Sequence, residues 1–247
     1  MRRIRITVGY DGTAYHGWQI QPGFPTIQQT LEQVVAEIEG APVSVAGSGR
    51  TDAGVHALAQ VAAFTLVNPI PVENLQKAMN RLLPRDIRVL SVAEAAADFH
   101  PRYQSKAKTY EYRIERRQIC LPFDRNYVHH YPYPLNEARM IELAPVLEGE
   151  HDFSAFAASD DKYKEGHSRV RRVLSSQVSR QGELLIYRVT GSGFLKHMVR
   201  NIVGVLLEAG KENLDRADIE ARLKPGCGIP PGPTAPARGL FLVSVEY

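Results

Sequence analysis

Cysteine is nearly absent from this chain: Cys120 and Cys227 are the only two in 247 residues. Two so far apart build no disulfide framework and no C-x-x-C metal signature, and they fit a reducing compartment. Long apolar runs are missing as well. No stretch approaches the roughly 20 residues of a membrane span. The opening MRRIRITVGYDG starts as an alternating strand and lacks the apolar core of a secretory leader. A cytoplasmic protein without membrane association is expected. Neither sign of charge dominates, with 30 basic residues against 27 acidic ones and a net charge of +3. That falls short of the strongly basic footprint of many nucleic-acid binders.

The apolar fraction, 44%, is ordinary for a globular protein, and the length suits one large domain or two modest ones. The charge is unevenly spread. Residues 1–100 carry 8 Lys/Arg and 9 Asp/Glu, whereas residues 101–247 carry 22 and 18. A polyanion should therefore lean on the second half. Arginine outnumbers lysine 22 to 8. This suits bidentate phosphate contact, and genome composition explains it equally well.

Periodicity predicts two passes of one pattern. In the first, a strand at Arg2–Tyr10 precedes a helix at Ile27–Ile38, with Thr26 as its cap. Strands at Val43–Ala46 and Val55–Leu66 follow, then a helix at Val72–Leu82 that stops before Pro84, and a strand at Ile87–Ala95. The order β-α-β-β-α-β is that of a split βαβ, or ferredoxin-like, unit. The second pass has a strand at Lys106–Glu115, a helix at Leu135–Leu147 and a hairpin of Arg171–Val178 with Leu184–Thr190. A helix at Leu195–Ala209, a short one at Asp215–Leu223, a Pro/Gly-rich loop at Pro225–Pro236 and a strand at Leu240–Tyr247 complete it. The class is α+β, with halves at residues 1–100 and 101–247.

One segment concentrates chemistry. GSGRTDAGVHALAQ, Gly47 to Gln60, places Asp52 two residues after Arg50 in a turn bracketed by Gly47, Gly49 and Gly54. Glycines permit backbone angles that other residues resist. With no second acid and no Ser-His or Cys-His pair, the arrangement reads either as a lone anionic nucleophile beside a cation or as a structural turn. Gly47-Ser48-Gly49 is no dinucleotide loop, because Asp52 stands where the third glycine belongs.

RTDAGVHA resembles the signature of the tRNA pseudouridine synthase A family. YDGTAYHGWQ, KTYEYRI, HDFSAF and FLKHMVRNIVG agree in order and spacing, so the resemblance covers nearly the whole chain. It implies two ferredoxin-like halves whose sheets join into one extended antiparallel sheet around a central cleft. It also implies an isomerase converting uridines at positions 38 to 40 of the tRNA anticodon stem-loop to pseudouridine. Such enzymes act as homodimers without metal or cofactor. By resemblance Asp52 is the catalytic carboxylate, Arg200 its partner and Tyr110 the residue that contacts the target base, its hydroxyl helping to exchange the C5 proton.

Arg200 stands among Met198, Val199, Ile202 and Val203, and a charge in so apolar a stretch needs a partner. Alternation puts Tyr110 and Tyr112 on one face and does not separate them. Arg50, His56, Gln60 and Lys108 are expected to touch substrate, although His56 and Gln60 read equally well as plain strand positions. Lys106, Lys162, Lys164, Arg169, Arg171 and Arg172 are further phosphate candidates. A non-catalytic RNA-binding module and an Asp hydrolase are the rival readings. The first lacks an aromatic pair in an RNA-recognition context, and the second lacks a partnering acid, histidine or metal set.

Overall fold

The computed structural model describes residues 1–158 and 168–247. The fold is α+β, as expected. The chain groups into two compact units, Met1–Lys106 with Phe241–Tyr247, and Ala107–Leu240.

In the first unit, strand β1 (Arg2–Tyr10) lies between β4 (Ile87–Ala95) and β3 (His56–Leu66), antiparallel to both. Along its other edge β3 carries the two-residue strand β2 (Ala46–Gly47). The strand order β4-β1-β3-β2 is that of a split βαβ unit. Alternation sets the faces: Ile4, Ile6 and Val8 are buried, and Arg3, Arg5 and Thr7 between them are not. Two helices complete the core. Helix α1 (Ile27–Glu39) buries Ile27, Leu31, Val34 and Val35, and α2 (Val72–Leu82) buries Leu75 and Met79. Each such side chain contributes about 1.5–3 kcal/mol when fully buried. Thr26 caps α1 by accepting from Gln29 N at 3.4 Å.

The expected strand at Val43–Ala46 shrinks to Ala46–Gly47. The closing strand β10 (Leu240–Glu246) runs parallel to β3, with Phe241 and Leu242 opposite His56 and Ala57. The antiparallel expectation does not extend to this pair. A parallel neighbour requires a long crossover, and here residues 67–239 intervene.

The second unit orders its strands β5 (Ala107–Glu115), β9 (Leu184–Gly191), β8 (Val170–Gln181) and β7 (Gly149–Asp152), all antiparallel. The short β6 (His129–His130) lies parallel at the end of β5. The expected helix at Leu135–Leu147 is α3 (Glu137–Leu143) followed by a 3₁₀ turn, Ala144–Leu147. Pro145 supplies no N–H to continue an α-helix. Helix α4 (Met198–Gly210) starts later than expected, because His197 adopts a left-handed φ of 61°. Nearly all of α4 is buried, as an apolar surface on all sides requires. A short helix, α5 (Arg216–Arg222), begins with a capping box of Asp215 and Asp218. Among the described residues, no helix is long and apolar enough to cross a membrane.

Candidate active site

The RTDAGVHA turn joins β2 to β3, and its backbone is tied on several sides. Ser48 N–H donates to Val61 O at 2.8 Å, Trp18 N–H to Thr51 O at 3.0 Å and Gly54 N–H to Tyr15 O at 3.2 Å. The segment after β1, residues 11–19, therefore wraps the turn. Ser48, Thr51, Val55 and His56 are buried, Asp52 is partly exposed and Arg50 is exposed. The Arg50 Nε donates to Gln19 Oε1 at 3.1 Å. The expectation that all three glycines serve unusual backbone angles holds at Gly54 alone, with φ of 76°. Gly47 answers a different need: a Cβ there would lie 2.5 Å from the Trp18 ring.

Gln60 and His56 face inward. Gln60 is fully buried. Its Oε1 accepts from Ser48 Oγ at 2.6 Å and Val61 N at 3.2 Å, and its Nε2 donates to Gly49 O at 3.1 Å. His56 is buried with its ring stacked on Phe241, centroids 4.7 Å apart. Its Nδ1 lies 3.1 Å from Gly12 N and 3.2 Å from Asp11 Oδ1. The Gly12 amide is an obligatory donor, so Nδ1 accepts and the hydrogen-bond pattern assigns the ring proton to Nε2. The same Asp11 oxygen accepts from Thr13 N and Oγ1.

In the second unit, Tyr110, Tyr112 and Ile114 share the buried face of β5. The Tyr110 ring meets that of Phe194 edge-on at 5.1 Å. Lys108, partly exposed, stands opposite Gly191 on β9. The Tyr112 hydroxyl donates to Pro236 O at 2.8 Å. Burial pushes its pKa up, and the positive charges of Arg200 and Arg238 oppose that shift. Arg200, in the first turn of α4, is partly buried. Its Nε donates to Ala235 O at 2.7 Å, and Ala235 N–H donates back to Arg200 O at 3.1 Å. The neighbouring Asn201 is buried. It donates from Nδ2 to Phe156 O at 2.9 Å and accepts at Oδ1 from Thr234 Oγ1 at 2.7 Å. The loop comes so close to α4 that a Cβ on Gly204 would lie 1.6 Å from Pro233 O.

Thus one unit holds an arginine and a carboxylate on a pinned turn, and the other holds an arginine on an apolar helix near Tyr112 of β5. A profile described as tRNA pseudouridine synthase matches residues 6–104 and 143–247. The chain belongs to the tRNA pseudouridine synthase family. It is similar to a tRNA pseudouridine synthase A of Solibacter usitatus, 61% identical over 248 residues with 100% of both chains covered. It is also similar to the enzymes so named from Limosilactobacillus reuteri and a Thermoanaerobacter species. The first is 41% identical over 250 residues, covering 100% of this chain and 97% of the relative. The second is 40% identical over 247 residues with full coverage of both. The protein is accordingly an isomerase that acts on tRNA.

The stretches matched to the synthase family contain Arg50, Asp52, His56, Gln60 and Arg200, whereas Lys108 and Tyr110 fall between them. Of the phosphate candidates in this synthase, Lys106 and Arg172 are exposed, and Arg169 and Arg171 are partly so. Lys162 and Lys164 lie outside the described residues. Sequence reasoning missed Tyr10, Thr51, Thr234 and Ala235, which hold the two arginine-bearing segments. A usable signal was the lone polar residue of HALAQVAAF, Gln60, after the strand's first position.

Proposed function

We propose that this synthase converts uridines of the anticodon stem-loop, at tRNA positions 38 to 40, to pseudouridine, with Asp52 as the nucleophile. The observation that carries this reading is the exposure pattern of the turn. Its two formally charged residues, Arg50 and Asp52, reach the surface while Ser48, Thr51, Val55 and His56 are buried.

In this reading the Asp52 carboxylate attacks ribose C1′ or uracil C6, and the N1–C1′ bond breaks. The freed uracil turns and bonds to C1′ through C5. C5 gives up its proton and N1 gains one, so substrate and product are isomers and no redox cofactor is needed. Arg200 is the cationic partner in this reading, as the family resemblance implies. Tyr110 contacts the uracil once it leaves its stack, and its hydroxyl takes part in the C5 proton exchange. Arg50 and Lys108 meet the RNA directly. Gln60 serves the RNA through the turn it holds, and His56 helps to orient the RNA. A homodimer working in the cytoplasm completes the reading.

Tritium release from tRNA labelled at uridine C5 tests it. Wild-type protein should release tritium from anticodon-stem uridines. Asp52→Asn should lower the rate by on the order of 10³-fold or more while leaving tRNA affinity nearly unchanged, because affinity comes mainly from phosphates. Near-normal turnover by Asp52→Asn would sink the assignment, and release from other uridines would move the target site.

A further inference from the structure

Beneath the turn lies a group of side chains that neither the apolar core nor a direct contact with RNA accounts for. Tyr10, Ser48, Thr51 and Gln60 are all buried. The Tyr10 hydroxyl and Thr51 Oγ1 are 2.8 Å apart. Gln60 in turn holds Ser48 Oγ at 2.6 Å and the carbonyl of Gly49 at 3.1 Å. Each of these bonds ends on residues 48–51, the peptide that carries Arg50 and leads into Asp52.

Two of the four stand on rigid elements. Gln60 is in the middle of β3, and Tyr10 ends β1. The β1–β3 register slips between Val8, opposite Gln60, and Tyr10, opposite Ala57. Such an irregularity re-aims a side chain. It brings the Tyr10 hydroxyl to Thr51.

Burying four polar side chains is costly unless each is satisfied, and replacing both partners of a hydrogen bond by apolar groups of the same shape is often neutral for stability. An apolar filling would therefore serve the fold about as well. It would not fix the rotation of the peptides at residues 49–52. All four groups are neutral. Burial also pushes the Tyr10 pKa up, so its hydroxyl stays protonated.

We infer that Tyr10, Ser48, Thr51 and Gln60 form a positioning network that sets the orientation of the Arg50–Asp52 peptide for the isomerisation. This rests on the reading of Asp52 as nucleophile. Gln60 is then a positioning residue and makes no contact with RNA. The two arms of the network, Tyr10–Thr51 and Gln60–Ser48, reach the turn on either side of Arg50.

Single-turnover kinetics on tRNA test the network. Tyr10→Phe and Thr51→Val each delete one hydroxyl and keep the shape. Both should lower the chemical rate about 10- to 100-fold, the scale on which small misplacements act. tRNA affinity should stay near wild type, while Tm should fall modestly in each single variant, where the remaining hydroxyl is left buried without its partner, and recover in the double variant. Thr51→Ser, which keeps the hydroxyl, should restore most of the rate. Because Tyr10 and Thr51 share one hydrogen bond, the double variant should be little worse than either single one.

Asp52→Asn is measured in parallel. Inactive Asp52→Asn with full rates for Tyr10→Phe and Thr51→Val would overturn the network alone. An active Asp52→Asn would overturn the parent reading and the network with it. Losses confined to tRNA affinity would mean direct substrate contact and would also overturn the network. If Tyr10→Phe fails to fold, the difference between Thr51→Ser and Thr51→Val decides.

Discussion

Around Asp52 the protein uses buried hydroxyls and an amide, whereas around Arg200 it uses an apolar helix and backbone carbonyls. The turn at residues 48–52 is short and carries its carboxylate on a short side chain. Small rotations of the peptide move that carboxylate directly, so the peptide itself is pinned through Ser48, Gly49 and Thr51. Arg200 has a long stem. Its position depends on packing along that stem and on where the Nε–H is directed. Met198, Val199, Ile202 and Val203 are buried around it in the helix. The carbonyl of Ala235 receives the Nε–H. The peptide that leads into the proposed nucleophile is thus pinned by side-chain hydrogen bonds, and the proposed countercharge is held by close packing and one backbone carbonyl.

The largest way to break this comparison is at Arg200 itself. Arg200→Ala should lower turnover about 10²- to 10³-fold, the scale on which loss of a positioned charge acts in a transition state. Arg200→Lys should restore only part, since a point charge replaces a planar fork. Steady-state rates on tRNA read both, and full turnover by Arg200→Ala would remove the countercharge from the mechanism.

A smaller effect tests packing directly. Gly204→Ala forces Pro233 away from α4, because the added Cβ would stand 1.6 Å from its carbonyl oxygen. Overpacking of this kind costs about 1–3 kcal/mol. Thermal melting should show a loss of roughly 2–4 °C for each of those kcal/mol. Turnover should fall too, since the same loop carries Ala235. Gly193→Ala, where a Cβ meets nothing within 4 Å, should show a much smaller loss. Equal losses at the two positions would mean that the close approach at Gly204 is unimportant.

The smallest effect is a pH dependence confined to the second unit. His129 lies edge-on to Tyr112, ring centroids 6.3 Å apart. Its Nδ1 is buried with no hydrogen-bond partner among the described residues. Its pKa is lowered to about 4, first by burial and then by Arg238, His130 and Lys211. The unfolded chain, with a histidine pKa of about 6.5, then binds the proton more readily than the folded one. The stability contribution is fully present above about pH 6.5 and is lost as pH falls toward 4. Tm measured over that range should decline, and His129→Gln should flatten part of the decline. The network under Asp52 is built of neutral groups and should leave no trace there. An unchanged pH profile in His129→Gln would remove the histidine as the cause.

Much of the fold was legible because the periodicity was strong. Helix α2 and strand β4 lie at their expected residues, with Leu75 and Met79 on one helical stripe and Pro84 close after it. Boundaries failed where a single residue changed the backbone. His197 delays α4, and Pro145 turns the end of the α3 region into a 3₁₀ turn. At the site, Asp52 and Arg50 were legible from their motif and from the glycines beside them. The surroundings were not. Nothing in YDGTAYHGWQ announces that the Tyr10 hydroxyl reaches Thr51, because that contact depends on the irregular register of β1 against β3.

By itself, the sequence determined the local elements, the inward faces of β1 and α1, and the concentration of charge at Arg50 and Asp52. These follow from periodicity and residue chemistry, which act over a few neighbours. Only the tertiary structure decided that β10 belongs with the first unit, parallel to β3, and that Gln60 holds Ser48. It alone decided that Ala235 receives the Arg200 Nε–H. Those pairings join residues 12 to 185 positions apart. No local pattern encodes them, because they come from burying polar groups that find partners only once the chain has closed on itself.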